Sequence, residues 1–390
     1  MGKAFSKSEH LTSTLAHVIV TTILTMFTGI DYETYYDKDC SITNGLQNYL
    51  NHDNFDAYMV SIYCADNFAW VGHPKDFDWS RLDGHIALSH NRGFDQPVHE
   101  HLIKQGIIPQ TNFSEWHCTA DMVAYSGYPR SLKESLKHSL GVVMSKEVRD
   151  NMKGRQYNEL GHDEKMDLAN YALFDAQGCA SLWAKDGDKW PAWERSLSQE
   201  TTRMCWEGVP VDKETMEKAV VTLERKVFDA IDVLPWTEEK SGALSPKEWS
   251  AYCRSLGKEP PVSMAKDDPE VIEWIVKNPK EGKVLVATHE LRGANSLLKK
   301  FTSMLGRVDN GRMSYGMKYF GAHTGRDSGD SGFNMQNLPR GGMYGVNLRS
   351  CIRAGAGKTL LVSDLAQIEV NTLKPLDGKS LKPLLMDNSP

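Results

Sequence analysis

The sequence predicts an α/β protein in which sheet-forming segments come first and helices dominate later. Two runs rich in β-branched and aromatic residues, "VIVTTILTMFTGIDYET" and "DAYMVSIYCADNFAWVG", read as an early β-meander. The helical half rests on periodicity. Ala169, Ala172, Leu173, Ala176 and Ala180 recur at a spacing of three to four, and "KVLVATHELRGANSLLKKFTSML" forms a long amphipathic pattern over residues 283–305.

The remaining elements follow in chain order. "IALSHNRGFDQPVHEHLIKQG" reads as a short apolar strand running into a helix, and the signal stays helical from Leu136 to Lys185. "KDGDKWP" (Lys185–Pro191) is a polar, turn-rich break. Leu197 to Phe228 is helical around the interruption "WEGVPVD", and a connector follows at "EEKSGALSP". "PEVIEWIVKNP" is a short helix bounded by prolines. Gly306 to Gly345 reads as irregular, and a last strand rises through "LLVSD" to Asp364.

The 390 residues exceed what one hydrophobic core usually serves, so two or three domains are expected. Hydrophobic residues at 40% and charged residues at 25% exclude disordered and collagenous classes. A net charge of −6 gives no global nucleic-acid signal, although a local basic stripe would suffice. Seven scattered cysteines without C-x-x-C favour free thiols over disulfides or zinc. The basic, apolar start resembles a signal peptide, and "MGKAFS" fits the N-myristoylation pattern. Threonines dilute that apolar run, it is too short to span a bilayer, and cleavage after it would remove the strand leading to Asp31. The expectation is therefore a cytoplasmic protein with no membrane partner, with Met26 as an alternative start.

Chemistry concentrates in the acids of the first half. Asp31 and Glu33, two apart in a strand, project to one face. Asp95 in "SHNRGFD" follows a strand near a helix start, and Tyr171 and Asp175, four apart, share a helical face. Such a set could converge on divalent metal, and oxygen-only ligation suits Mg²⁺ or Mn²⁺ rather than zinc. Any one of these pieces alone is more often a solvated strand edge or chance helical spacing. The ordered set resembles the three motifs of DEDDy 3′–5′ exonucleases: D-x-E at Asp31/Glu33, N-x-x-F-D from Asn91 to Asp95, and Y-x-x-x-D at Tyr171/Asp175. The resemblance implies an RNase H-like fold, a mixed sheet flanked by helices. It also implies that the four acids bind two metal ions and that Tyr171 positions the attacking water.

The second half is similar to family A (Pol I-like) DNA polymerases. "AHTGRDSGDSGFNMQNLPRG" resembles T-G-R-x-S followed by N-x-Q-N-[IL]-P, and "LLVSDLAQIE" resembles motif A. The resemblance covers roughly residues 26–373, in the family's order, and suits a phage or bacterial type. It implies an N-terminal extension (1–25), an exonuclease domain (26–190), a linker and mainly helical thumb (191–305), a partial palm (306–373) and a divergent tail (374–390). Carried over by position, Asp364 is the motif A metal ligand and Glu369 the steric gate against a ribose 2′-hydroxyl. Arg326, Gln336, Asn337 and Asn91 contact DNA. Lys299 and Lys300 are candidate phosphate contacts, though a solvated helix face reads the same way.

The sequence departs from the family after motif A. Pro375 breaks the helix expected there, and motifs B and C do not follow Glu369. The H-D-E in "GHDEKMD" lies in the wrong half, and "AGAGKT" lacks the first glycine of a phosphate loop at Ile352. The expectation is a proofreading nuclease without DNA synthesis from this chain alone. Its partners would be primer-template and single-stranded 3′ ends. One alternative is a non-catalytic DNA-binding subunit of a split polymerase, with the missing motifs supplied by a separate chain. A stand-alone DEDDy nuclease is the other reading.

Overall fold

Phe27–Glu33 forms strand β1, buried or half-buried throughout. A short helix α1 (Leu46–Leu50) precedes β2 (Met59–Cys64) and β3 (Ala69–Gly72), which complete the expected meander. β4 (Ile86–Ser89) leads directly into α2 (Arg92–Lys104), and β5 (Glu115–Cys118) into α3 (Thr119–Tyr125). The strands form one mixed sheet in the order β3–β2–β1–β4–β5, with β1 antiparallel to β2 and parallel to β4. This computed structural model describes residues 26–143, 151–236, 243–330 and 333–363.

Among the described residues, two helices, α4 (Leu132–Leu140) and α5 (His162–Asp186), occupy the region read as continuously helical from Leu136 to Lys185. That expectation is corrected by Gly141, which ends α4 in the left-handed conformation (φ 71°) that favours glycine. α5 restarts where the Glu164 carboxylate accepts the Gly161 N–H at 2.9 Å. Strand parity explains how the sheet is covered. Ile30 and Tyr32 of β1 pack with Val98 and Leu102 of α2. Phe27 packs on the opposite side with Ala176, Cys179 and Ala180 of α5.

The later elements are mainly helical: α6 (Ala192–Glu207), α7 (Lys213–Val233), α8 (Pro246–Ser255), α9 (Pro269–Lys277) and α10 (Pro279–Leu305). Short strand β6 (Val209–Pro210) joins β7 (Val308–Asp309) and β8 (Arg312–Met313) in a three-stranded sheet. β9 (Gly316–Lys318) and β10 (Ser328–Asp330) form a hairpin, so the described residues of the stretch expected to be irregular hold four short strands. Met216, Ala219 and Leu223 of α7 meet Ala294, Leu297 and Phe301 of α10, while Ala230 meets Ala287 and Leu291. The pairing order makes α7 and α10 antiparallel, each presenting a stripe at spacings of three and four.

Contacts divide the chain into two units, Met1–Ile352 and Arg353–Pro390. In the second unit, residues 353–363 carry a turn closed by Lys358 N–H on Gly355 O and no strand. The strand expected to rise to Asp364 is therefore absent from its described part. "AGAGKT" supplies glycines that favour a turn there. Asp364, Glu369, the 1–25 extension and the 374–390 tail lie outside the described residues. Among the described residues, no helix is long and apolar enough to cross a membrane. All seven cysteines are buried and unbridged.

One core histidine predicts an acid sensitivity. His117 stacks on Trp183 with ring centroids 4.8 Å apart and is 1% exposed. Burial pushes its pKa down to about 4, outweighing the Glu115 carboxylate 2.6 Å away. The folded imidazole stays neutral where the unfolded one takes a proton, so stability is lost as pH falls from about 6.5 towards 4. Buried Asp95, pushed upward, acts in the opposite sense. The contribution is thus read as a difference: His117→Phe should remove about 2 kcal/mol of the stability loss between pH 7 and pH 4.5 in urea titrations. An identical pH dependence in the two proteins would refute the assignment.

Candidate active site

Alternation along β1 builds the first part of the site. Residues 27, 29, 31 and 33 share the side of the sheet covered by α5. A Cβ on Gly29 would lie 2.8 Å from the Ala176 carbonyl carbon and closer to its oxygen, so only glycine permits this helix–strand contact. Ser61, directly opposite Asp31 in β2, donates to Ala172 O of α5 at 2.7 Å. These two contacts set the level of α5 against the strand. Ala172 and Ala176 pack inward, and Tyr171 and Asp175, one residue before each, come to the edge where Asp31 and Glu33 emerge.

The second part comes from α2. β4 runs parallel to β1, so both strands end at one edge of the sheet, where open α/β sheets usually bind ligands. Asn91 is the N-cap residue of α2, and Asp95 lies in its first turn. Asp95 is 3% exposed, and its Oδ1 accepts the Tyr32 N–H at 3.1 Å, between Asp31 and Glu33 in sequence. Asp31, Glu33, Asn91, Asp95, Tyr171 and Asp175 all line one pocket of about 670 Å³. The structure thus brings together every acid predicted in the first half.

Their charges act on one another. Burial holds the Asp95 carboxyl well above the usual range; Asp31 and Asp175 push it the same way, and the Tyr32 N–H opposes them. Cys179, one turn beyond Asp175 on α5, feels the same three carboxylates, and its thiol is pushed up by burial and by them. Among the described residues, no three His, Cys, Asp or Glu side chains form a ready set of metal ligands. The donor chemistry nevertheless fits a hard divalent cation, because the acids are all-oxygen donors and their crowding is the repulsion a cation relieves.

The other predicted contacts lie elsewhere. Lys299, exposed, and Lys300, half-buried, sit on α10. Arg326 is exposed between β9 and β10, and Gln336 and Asn337 are exposed on a 3₁₀ turn. Gln336 Nε2 donates to Asp327 O at 3.0 Å, which ties that turn to the residue after Arg326. None of these five residues lines the acid pocket.

The sequence reading missed part of the pocket's lining. Trp206, Arg307, Tyr315 and Lys318, all from the second half, line the same cavity as the acids, and Arg130 joins them. The only signal for them lies in contacts distant in sequence. Arg130 donates to Tyr319 O at 2.6 Å and pairs with Asp121, which accepts Ser198 Oγ–H at 2.5 Å. Tyr319 in turn donates to Glu194. This buried network fixes β9 against the first half.

No family model and no curated protein matches the chain. Among solved structures, it is similar to the POL domain of Pol1 from M. smegmatis, determined in complex with DNA primer-template and dNTP. The match has a TM-score of 0.58 at 16% identity and covers 97% of this chain and 63% of that one. The chain therefore has a mixed α/β fold similar to that of a DNA polymerase domain.

Proposed function

We propose that the chain is a family A DNA polymerase, or the part of one that carries the 3′–5′ exonuclease, and that the acid pocket is the exonuclease site in an RNase H-like domain. One observation carries the reading. Acids from a strand, a helix start and a long helix, spread from residue 31 to residue 175, line a single pocket together with Tyr171. The polymerase-like fold supports the wider assignment and DNA as the partner.

In this reading Asp31, Glu33, Asp95 and Asp175 would hold two Mg²⁺ or Mn²⁺ ions, which would supply charge to offset the phosphodiester and acidify water. The chain's own groups do the rest. Tyr171 orients the attacking water through its hydroxyl. Asn91 binds the strand at the mouth of the pocket, and Phe94 offers a face on which a terminal base stacks. The water oxygen bonds to phosphorus as the P–O3′ bond breaks, leaving a nucleoside monophosphate and a new 3′-hydroxyl. Arg326, Gln336 and Asn337 contact primer and template in the polymerase half, with Lys299 and Lys300 on phosphates. Asp364 and Glu369 serve as metal ligand and steric gate.

A 5′-labelled primer on a template, incubated with Mg²⁺ and the purified chain without dNTPs, tests the reading. The expected result is stepwise shortening that stops on chelation by EDTA. An intact primer would overturn the exonuclease assignment. Extension when dNTPs are added would show that the second half also adds nucleotides.

A further inference from the structure

The carboxylates of the pocket repel a polyanion, so the strand needs positive charge from the rest of the lining. Three Arg and Lys side chains line the same pocket, Arg130, Arg307 and Lys318, and their partners separate them. Arg130 is committed to Asp121 and to Tyr319 O. Arg307 is 5% exposed and donates to Thr43 O. Lys318 is the most open, with its side chain 43% exposed. Its Nζ lies 3.0 Å from Asp330 Oδ1, diagonally across the β9–β10 hairpin. An exposed pair of this kind is worth only about 0–1 kcal/mol, so a phosphate can displace the carboxylate. The backbone under Lys318 is held firmly, because the next residue, Tyr319, is anchored by Arg130 and Glu194.

We infer that Lys318 is a substrate-binding residue of the acid pocket: its ammonium takes a backbone phosphate of the nucleic-acid strand whose 3′ end lies among the carboxylates. Asp330 holds the side chain in place when the pocket is empty and competes with the strand. The inference rests on the nuclease reading and deepens it, since the polymerase-like half then supplies one wall of the hydrolytic site. A phosphate contact reads no base, so the effect is the same for every sequence.

The test is binding rather than cleavage. The chain carrying Asp31→Asn is titrated against a labelled oligothymidine by fluorescence anisotropy, in EDTA, across a range of salt concentrations. Adding Lys318→Met should weaken binding about five- to tenfold at low salt and flatten the log K against log salt slope by about 0.7, one single-strand phosphate contact. Lys318→Arg should retain both, and Asp330→Asn should tighten binding. Two results overturn the inference: an unchanged slope in Lys318→Met, or equal weakening by Lys318→Met and Asp330→Asn, which marks the pair as a strand tie only. If the unsubstituted chain shortens primers yet Lys318→Met binds normally, the nuclease reading stands without this residue. A chain that neither binds nor shortens the primer overturns both.

Discussion

Asp31→Ala is expected to abolish primer shortening while the chain stays folded. Asp31 is half-buried at the end of β1, so its removal leaves the sheet register and both cores intact. What disappears, on the proposed nuclease reading, is a carboxylate that would help to hold charge opposite the phosphodiester, a contribution of several kcal/mol, on the order of a thousandfold in rate. Asp31→Asn keeps the shape and loses the charge, and should fail as badly. Asp175→Ala should match it, whereas Asp364→Ala should leave shortening unchanged. Single-turnover cleavage with matched circular dichroism spectra makes the comparison. Normal cleavage by Asp31→Ala, or equal loss from Asp364→Ala, would mean that the hydrolytic site lies elsewhere.

Gly29→Val is expected to be the most damaging substitution for the fold. The α5 backbone occupies the place of the missing Cβ, and neither a strand in mid-sheet nor a 25-residue helix can yield cheaply. Forcing them apart should cost about 3 kcal/mol or more and lower the Tm by roughly 5–10 °C. The same displacement carries Asp175 away from Asp31, so cleavage should fall further than stability does. Gly93→Ala is the contrast: its nearest neighbour would lie 3.5 Å away, an ordinary contact. Equal melting temperatures for Gly29→Val and the unsubstituted chain would refute the close approach.

The legible parts of the fold were those with a local signal, either composition or periodicity. Enrichment in β-branched and aromatic residues marked β1 to β3, spacings of three and four marked α5, and an amphipathic pattern marked α10. The acid set was legible because each member sits at a fixed offset within its own element. The rest was decided by distant contacts or by single punctuating residues. Gly141 divides a stretch whose composition reads as one helix. β5, "EWHC", is four residues long and becomes a strand only by pairing with β4. α8 went unread, although "SPKE" forms a capping box with Ser245 and Glu248. Lys318 could not have been chosen from "YGMKYFG", because its relation to the acids depends on Arg130 and Glu194, more than a hundred residues earlier.

The register of β1 limits how this chain can change in length. Thr28 to Glu33 pair one for one with Cys64 to Met59, and neighbouring side chains face opposite sides. One residue inserted or deleted between Phe27 and Asp31 would turn Tyr32 toward α5 and Asp31 into the apolar layer against α2. Polar loops such as residues 37–45 can lengthen without that exchange. Homologues of this chain should therefore vary in size at its turns and keep a constant count from Phe27 to Glu33.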